Sequence, residues 1–192
     1  MRRIAAVALA VALVSGCGTN PPPPPSQTLR LADPPATSAT PSALARTVAE
    51  PSRIRIPSIG VDARIVRVGL KANGDMETPD FGRAGWYTEG PRPGQDGPAV
   101  VVAHVDSKSG PDVFARLKEL KRGAKISVTD KQGKTHTFVA RRQQQTSKTA
   151  LPVNAIWGTT DGPALRLITC GGAFDKRTNH YTSNVIVWAD AA

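Results

Sequence analysis

The segment that decides the fold reads Leu167-Ile168-Thr169-Cys170-Gly171-Gly172-Ala173-Phe174-Asp175. The apolar run just before and into it, residues 164–168, is interrupted only by Arg166 and predicts a buried β-strand. Glycine adopts backbone conformations that other residues avoid, so the glycine pair predicts a sharp turn that leaves the sulfur uncovered. A cysteine held at the end of a rigid strand is a candidate nucleophile, although a free cysteine is usually an inert core residue.

The N-terminal residues have the pattern of an export signal. Arg2 and Arg3 precede an apolar run, residues 4–14, which is shorter than the roughly 20 residues that span a bilayer and fits a signal peptide. The run ends in Val14-Ser15-Gly16-Cys17, which resembles a bacterial lipobox, where the cysteine is lipidated. The alternative is that residues 1–17 remain as an uncleaved membrane anchor. Either interpretation predicts an exported protein held at the outer face of the cell membrane.

The cysteine count supports a catalytic role for Cys170. The chain contains two cysteines, and the other one, Cys17, belongs to the targeting segment, so no disulfide is expected. An unpaired thiol in an oxidising compartment favours a functional reason for its being unpaired.

The rest of the chain divides into a linker and one domain. Residues 18–51 are rich in Pro, Ser, Thr and Ala, with five consecutive prolines at 21–25, and predict a disordered linker that lifts the domain off the membrane. Residues 52–192 are long enough for a single core. Alternating or apolar runs with a turn at Gly133 predict about eight short strands, and only residues 112–120 have helical spacing. This pattern predicts a mostly β domain closed into a barrel.

Three histidines compete for an acid–base role. His104 follows a strongly apolar run and precedes a polar stretch, which predicts a position at a strand end. His136 lies within an alternating hairpin strand that is predicted to be solvated, and we discount it. His180 is close to Cys170 in sequence and remains the rival.

Arg177, in the loop after the cysteine, is the candidate cation. A guanidinium offers a rigid fork of donors and keeps its proton, so it suits the stabilisation of an oxyanion. An exposed loop charge is the commoner fate of such a residue. Arg166, on the cysteine strand itself, is the second candidate.

Together these features resemble a sortase. The resemblance rests on an apolar strand ending in Thr169-Cys170, on a histidine at an earlier strand end and on an arginine close after the cysteine. The segments Cys-Gly-Gly-x-Phe-Asp and His-Tyr-x-x-Asn are most similar to the class F sortases of actinobacteria. One departure is that residues 182–184, where the best-known sortases carry the arginine, contain none. Further matching segments are Ile56-Pro57-Ser58-Ile59-Gly60-Val61, Gly85-Trp86-Tyr87, Pro93-Gly94 and Phe114-Ala115-Arg116-Leu117.

The resemblance implies an eight-stranded sortase-like barrel with one or two short helices, and a cysteine transpeptidase that uses no cofactor. Cys170 would attack the Thr–Gly carbonyl of an LPXTG-like sorting signal and form a thioacyl enzyme, which an amine of a cell-wall precursor would resolve. His104 would protonate the leaving amine and later deprotonate the incoming one. Arg177 would stabilise the oxyanion, and Thr169 would help to bind the substrate.

Two other functions stay open from the sequence. The formal net charge of +10 fits a non-catalytic, membrane-anchored β-domain that binds anionic cell-wall polymers. An L,D-transpeptidase is the other exported cysteine enzyme of the wall, but Ile168-Thr169-Cys170-Gly171 does not match its motif. The scattered charges and few aromatic residues argue against nucleic acid as a partner. The histidines and carboxylates show no metal-ligand spacing.

Overall fold

The computed structural model describes residues 48–192, in which eight β-strands close into a barrel. One short α-helix, three 3-10 turns and a separate pair of two-residue strands complete this part of the chain. The prediction of a mostly β, eight-stranded barrel with one or two short helices is confirmed. The elements are β1 (Pro51–Ile56), β2 (Val61–Val68), β3 (Arg83–Tyr87), β4 (Gly97–Ala103), β5 (Asp106–Ser107), β6 (Gly110–Pro111), β7 (Lys125–Asp130), β8 (Thr135–Ser147), α1 (Val153–Trp157), β9 (Pro163–Asp175) and β10 (His180–Ala191).

The order of strands around the barrel brings β4 next to β9. The order is β1-β2-β3-β4-β9-β10-β8-β7, and β7 pairs with β1 to close the ring. The β2–β3 and β4–β9 pairs are parallel, and the other neighbours are antiparallel. A parallel pair needs a long crossover connection. For β4 and β9, this connection contains all the elements from β5 to α1. β4 therefore ends beside the middle of β9, and the two strands run in the same direction.

Both faces of β4 are covered, which explains its continuous apolar sequence. Ala99, Val100 and Val101 are all fully buried, although neighbouring residues of a strand point to opposite faces. The inward-facing residues join the main core, and Val100 packs outside the barrel in a second apolar cluster with Ile156 of α1. A parallel pair that is buried on both faces gives the site a rigid base.

The prediction of a helix at residues 112–120 is wrong. This segment forms successive tight turns with one 3-10 helix, Leu117–Glu119. Its buried side chains are Phe114, Leu117 and Leu120, which are spaced by three residues. Side chains at that spacing lie above one another in a 3-10 geometry, so the apolar pattern does not require an α-helix.

The turn predicted directly after Cys170 is also wrong, because β9 continues through the glycines to Asp175. A Cβ atom on Gly171 would lie 2.8 Å from a methyl group of Val185 on β10. Gly172 has a φ of +78°, and the pairing of β9 with β10 shifts register opposite it, between Tyr181 and Ser183. The glycines therefore allow close packing and a bulge, and the chain reverses later, between β9 and β10.

The β7–β8 hairpin turn predicted at Gly133 is present, with a φ of +80°, and it contains a buried hydrogen-bonded pair, Asp130 and His136. Asp130 is 3% exposed and accepts hydrogen bonds from the backbone N–H groups of Gln132 and Lys134, both at 2.9 Å. His136 Nε2 lies 3.2 Å from the other oxygen of Asp130, and its side chain is only 9% exposed. The expectation that His136 is solvated is therefore wrong, since it serves as a structural partner of Asp130.

This turn predicts a pH-dependent contribution to stability. Burial raises the pKa of Asp130, but the hydrogen bonds from His136, Lys134 and Gln132 outweigh it and leave the pKa below its usual value. A carboxyl whose folded pKa is lowered contributes stability above its unfolded pKa, which is about 4, and loses it as the pH falls further. We expect Asp130→Asn to lower the free energy of unfolding by about 1–2 kcal/mol at pH 7. Urea unfolding should show this difference shrinking below about pH 4.

Asp161→Asn is the matched control, because Asp161 is exposed. It should change stability little at either pH. If Asp130→Asn lowers the free energy of unfolding equally at pH 3 and at pH 7, the stabilisation does not come from the charge of the Asp130 carboxylate.

The predictions for the signal peptide, for lipidation of Cys17 and for most of the linker lie outside the described residues. At the start of the described part, Val48 is 4% exposed, and Arg92 donates a hydrogen bond to its carbonyl oxygen at 2.7 Å. Within residues 48–192, no helix combines the length and the apolar composition that crossing a bilayer takes.

Candidate active site

The parallel pairing of β4 with β9 places His104, just after the end of β4, alongside Cys170 within β9. The last paired residues are Val102 and Ile168. One residue further along, the Thr169 hydroxyl donates a hydrogen bond to the carbonyl oxygen of Ala103 at 2.8 Å, which fixes the two strands to each other. His104 and Cys170 are the next residues of the two segments. The structure therefore brings together residues that lie 66 positions apart.

Cys170 opens into a cleft of about 320 Å³. The residue is half-buried and its thiol is free. Thr169, by contrast, is 5% exposed, and its hydroxyl is already used to hold β4. Besides Cys170 and its neighbours Thr169, Gly171 and Gly172, the cleft is lined by Val105, Phe114, Ala115, Lys118, Gln145, Tyr181 and Val185.

The imidazole of His104 is oriented by two contacts. Its Nε2 lies 2.9 Å from the carbonyl oxygen of Pro79, and because a carbonyl only accepts, Nε2 must donate the proton. The ring also packs against Phe81, with 4.5 Å between the ring centroids. Among the described residues, no hydrogen bond joins His104 to Cys170. Hydrogen bonds between catalytic groups often tighten only when substrate binds, so this resting geometry is compatible with an acid–base role.

The rival histidine lies away from the cleft. His180 begins β10 and is exposed, and it pairs with Asp175 at the far end of β9. The residue of β10 that pairs with Cys170 is Asn184, four positions further along the strand. At roughly 3.3 Å per residue, this separation is about 13 Å.

Neither candidate arginine lines the cleft. Arg177 lies in the β9–β10 turn with a side chain that is 86% exposed, and its guanidinium is 3.9 Å from the carboxylate of Asp175. Arg166 is 5% exposed and donates to the carbonyl oxygens of Leu165 and Ala189, while its Nε has no partner. Burial lowers the pKa of Arg166. Arg166 thus acts as a buried structural residue in this arrangement.

Two polar residues of the cleft were missed by the sequence analysis. Lys118 is exposed and carries the positive charge that lies nearest to the thiol among the residues lining the cleft. Gln145 reaches the cleft from β8, where it pairs with Val185. No local sequence signal marks either residue, because each reaches the cysteine only through barrel closure.

A third missed feature is a hydrogen bond between a residue of the cleft and the segment that follows His104. The Tyr181 hydroxyl, on β10, donates a hydrogen bond to the carboxylate of Asp106, which lies two residues after His104. The carboxylate, burial and the charge on the Cys170 thiolate raise the pKa of Tyr181 to about 12. Asp106 and Tyr181 are 75 positions apart, so only the fold could reveal this pair.

The chemistry available here is that of acyl transfer. A thiol can attack a carbonyl, the imidazole at the neighbouring strand end can move a proton, and Lys118 and Gln145 supply N–H donors near the sulfur. Within residues 48–192, no three His, Cys, Asp or Glu side chains are grouped to hold a metal ion.

Comparison with known proteins points to one family. A Sortase domain matches residues 54–192 of this chain. No curated protein matches. Solved structures match well in fold, although all those compared below share 20% identity or less with this chain.

Three of the similar structures are one sortase C and two sortases A. Sortase C-1 of Actinomyces oris is 20% identical with a TM-score of 0.57, over 73% of this chain and 71% of its own. Sortase A of Listeria monocytogenes is 18% identical with a TM-score of 0.57, over 76% of this chain and 88% of its own. A lid mutant of sortase A from Corynebacterium diphtheriae is 18% identical with a TM-score of 0.57, over 78% of this chain and 75% of its own.

Proposed function

The chain belongs to the sortase family, whose domain spans residues 54–192, and on this basis we propose that it is a class F transpeptidase acting on an LPXTG-like sorting signal. One observation carries the proposal. β4 ends beside the middle of β9, so a histidine just after β4 lies alongside a half-buried free cysteine of β9 that opens into a cleft. The family match favours a sortase over an L,D-transpeptidase. The class F assignment rests on the Cys-Gly-Gly-x-Phe-Asp and His-Tyr-x-x-Asn segments.

In the proposed reaction, the Cys170 thiolate attacks the carbonyl carbon of the Thr–Gly bond. The bond to the glycine nitrogen breaks as His104 gives that nitrogen a proton, which leaves a thioacyl enzyme and a free amine. An amine of a cell-wall precursor then attacks the thioester, passes a proton to His104 and releases the thiolate. Thr169 supports the reaction by fixing the cysteine strand against β4.

We place the reaction at the outer face of the cell membrane, where sorting signals and wall precursors would meet. The proposed attachment is through lipidated Cys17 or through residues 1–17 as an anchor. The apolar run 4–14 and the lipobox-like Val14-Ser15-Gly16-Cys17 support this location.

Mass spectrometry of the full chain tests the function directly. Incubation with an LPXTG-type peptide should add the mass of the acyl fragment to Cys170, and an added amine should remove it as a new amide product. A protein that binds the peptide or wall polymers without any adduct on Cys170 would instead be a non-catalytic wall-binding domain.

The positive partner of the oxyanion is proposed to be Arg177. In the structure its side chain extends into solvent, so this role requires the short β9–β10 turn to move toward the cleft when peptide binds. Lys118 is the alternative, since it lines the cleft without such a movement. A guanidinium is the better oxyanion partner, because its planar fork donates two hydrogen bonds at once.

We expect Arg177→Ala to lower kcat by about 100-fold or more, the typical cost of removing one oxyanion donor. Arg177→Lys should recover only part of this loss, because lysine keeps the charge without the fork. Both should retain wild-type stability, since the side chain is 86% exposed. Lys118→Ala is the matched variant. If it shows the large loss in kcat and Arg177→Ala stays close to wild type, the assignment must move to Lys118.

A further inference from the structure

The hydrogen bond between Tyr181 and Asp106 lies beside the cleft that contains Cys170. Tyr181 and Cys170 both line this cleft, and the charge of the Cys170 thiolate contributes to raising the pKa of Tyr181. Asp106 belongs to the segment that follows His104, and the intervening Val105 lines the same cleft. The pair therefore joins a residue of the cysteine cleft to the segment that follows the proposed acid–base residue.

The Tyr181 hydroxyl is the donor of this hydrogen bond, and the Asp106 carboxylate is the acceptor. The pKa of Tyr181 is raised to about 12, so the phenol keeps its proton at neutral pH and remains a donor. Asp106 uses one carboxylate oxygen, Oδ2, for this bond. Among the described residues, no lysine, arginine or histidine forms an ion pair with Asp106, and no other hydrogen bond reaches its carboxylate. Its negative charge and its second oxygen are therefore available to a cation from outside the chain.

Aromatic rings add to the attraction for a cation. The Tyr181 ring packs edge-to-face against Phe174, with 5.2 Å between the centroids, and Phe174 is 47% exposed. An ammonium group is attracted by an aromatic face as well as by a carboxylate. A carboxylate beside two accessible rings thus has the chemistry of an ammonium-binding site.

We propose that Asp106, Tyr181 and Phe174 form the subsite that holds the primary ammonium group of the amine acceptor beside the thioacyl enzyme. This inference rests on the proposed transpeptidase function, which requires such an acceptor. The subsite is separate from the residues that break the peptide bond, because acylation needs only the thiol, the imidazole and the oxyanion partner.

At this subsite the acceptor must lose a proton before it can attack the thioester. The bound ammonium loses one proton to solvent and becomes a free amine, whose nitrogen attacks the thioester carbon. The new C–N bond forms, the C–Sγ bond breaks, and the second nitrogen proton passes to His104. The sulfur leaves as the Cys170 thiolate. Because water competes for the same thioester, occupancy of the subsite sets the ratio of transfer to hydrolysis.

The ratio of transfer to hydrolysis tests the subsite in the full chain with an LPXTG-type peptide. Triglycine, whose α-amine is mostly ammonium at pH 7, serves as the charged acceptor. Hydroxylamine, which is uncharged at that pH, serves as the acceptor that needs no ammonium site. We expect Asp106→Asn and Tyr181→Phe to lower the ratio with triglycine by up to about fivefold, the upper end of what one exposed charge contact contributes. The ratio with hydroxylamine should fall much less.

A second pair in the same chain provides the matched control. Tyr87 donates a hydrogen bond to Glu89 at 3.0 Å, but neither residue lines the cysteine cleft. Tyr87→Phe and Glu89→Gln should leave the triglycine ratio unchanged. Nα-acetyl-lysine amide, which carries an ε-ammonium group, can replace triglycine as the acceptor. Comparing how far the Asp106 and Tyr181 variants lower the transfer ratio with each acceptor distinguishes an ε-ammonium from an α-ammonium site.

The outcomes separate this inference from the proposed function. If the thioacyl adduct forms and triglycine transfer falls no more than hydroxylamine transfer in both variants, the ammonium subsite is wrong while the transpeptidase remains. If wild type forms no adduct, the proposed function fails first. An equal loss with both acceptors would assign the pair to positioning His104, which also overturns the ammonium subsite.

Discussion

Cys170→Ala is expected to abolish cleavage of a sorting-signal peptide, with a loss in kcat on the order of 10⁴-fold or more, as for the removal of other enzymatic nucleophiles. Alanine has no atom that can form the thioacyl bond, and no other cysteine is present among residues 48–192. The change removes only one sulfur from a half-buried site, so we expect the free energy of unfolding to stay within about 1 kcal/mol of wild type. Peptide cleavage followed by chromatography, together with urea unfolding, measures both quantities.

Cys170→Ser provides the matched control for size and polarity. A hydroxyl at this position lacks the easily formed anion of a thiol, so this variant should be nearly as inactive as alanine. Cleavage that persists in purified Cys170→Ala protein at more than a few per cent of the wild-type rate would refute the cysteine mechanism.

His104→Ala is expected to lower kcat by about 100–10,000-fold, the usual contribution of a positioned acid–base group. The leaving amine would then depart without a proton donor. The variant also loses the hydrogen bond to the carbonyl oxygen of Pro79, which is worth about 1 kcal/mol of stability. Single-turnover formation of the acyl adduct and thermal unfolding separate these two effects.

His104→Gln isolates the proton-transfer role. Its amide N–H can still donate to Pro79, but an amide cannot exchange a proton near neutral pH, so stability should recover and activity should not. His180→Ala should stay within a few-fold of wild type, because His180 is exposed and pairs with Asp175 rather than with the cysteine. If His180→Ala shows the larger loss in kcat, the acid–base role belongs to His180.

The sequence predicted the fold because the signals of its strands are local. Apolar runs before His104 and Cys170 mark β4 and the first half of β9, which the structure pairs with each other. The catalytic roles of the two residues stay predictions. The hairpin at Gly133 was equally predictable, since a turn depends on a few consecutive residues. The surroundings of the cysteine were not predictable in this way. Gly171 and Gly172 suggested a turn, but the neighbouring strand β10 decides their conformation through Val185 and its own bulge.

The missed residues share one property, which is that their partners are distant in sequence. Tyr181 finds Asp106 across 75 positions, and Lys118 and Gln145 meet Cys170 only after the barrel closes. The apolar spacing at residues 112–120 was misread because a repeat of three fits a 3-10 turn as well as part of a helix. Arg177 was placed near the cysteine by sequence distance alone, while the structure puts it in the solvent at the tip of the β9–β10 turn.

The parallel pairing of β4 with β9 has a consequence for the order in which the chain folds. The antiparallel hairpin of β7 and β8 closes across a few residues, whereas the contact between Thr169 and Ala103 closes a loop of 66 positions. The entropic cost of closing a loop rises with its length, so pairings of this kind form late and slowly. We therefore expect His104 and Cys170 to be brought together late in folding. Until that point the Cys170 thiol would lack the neighbouring imidazole that we propose as its proton partner.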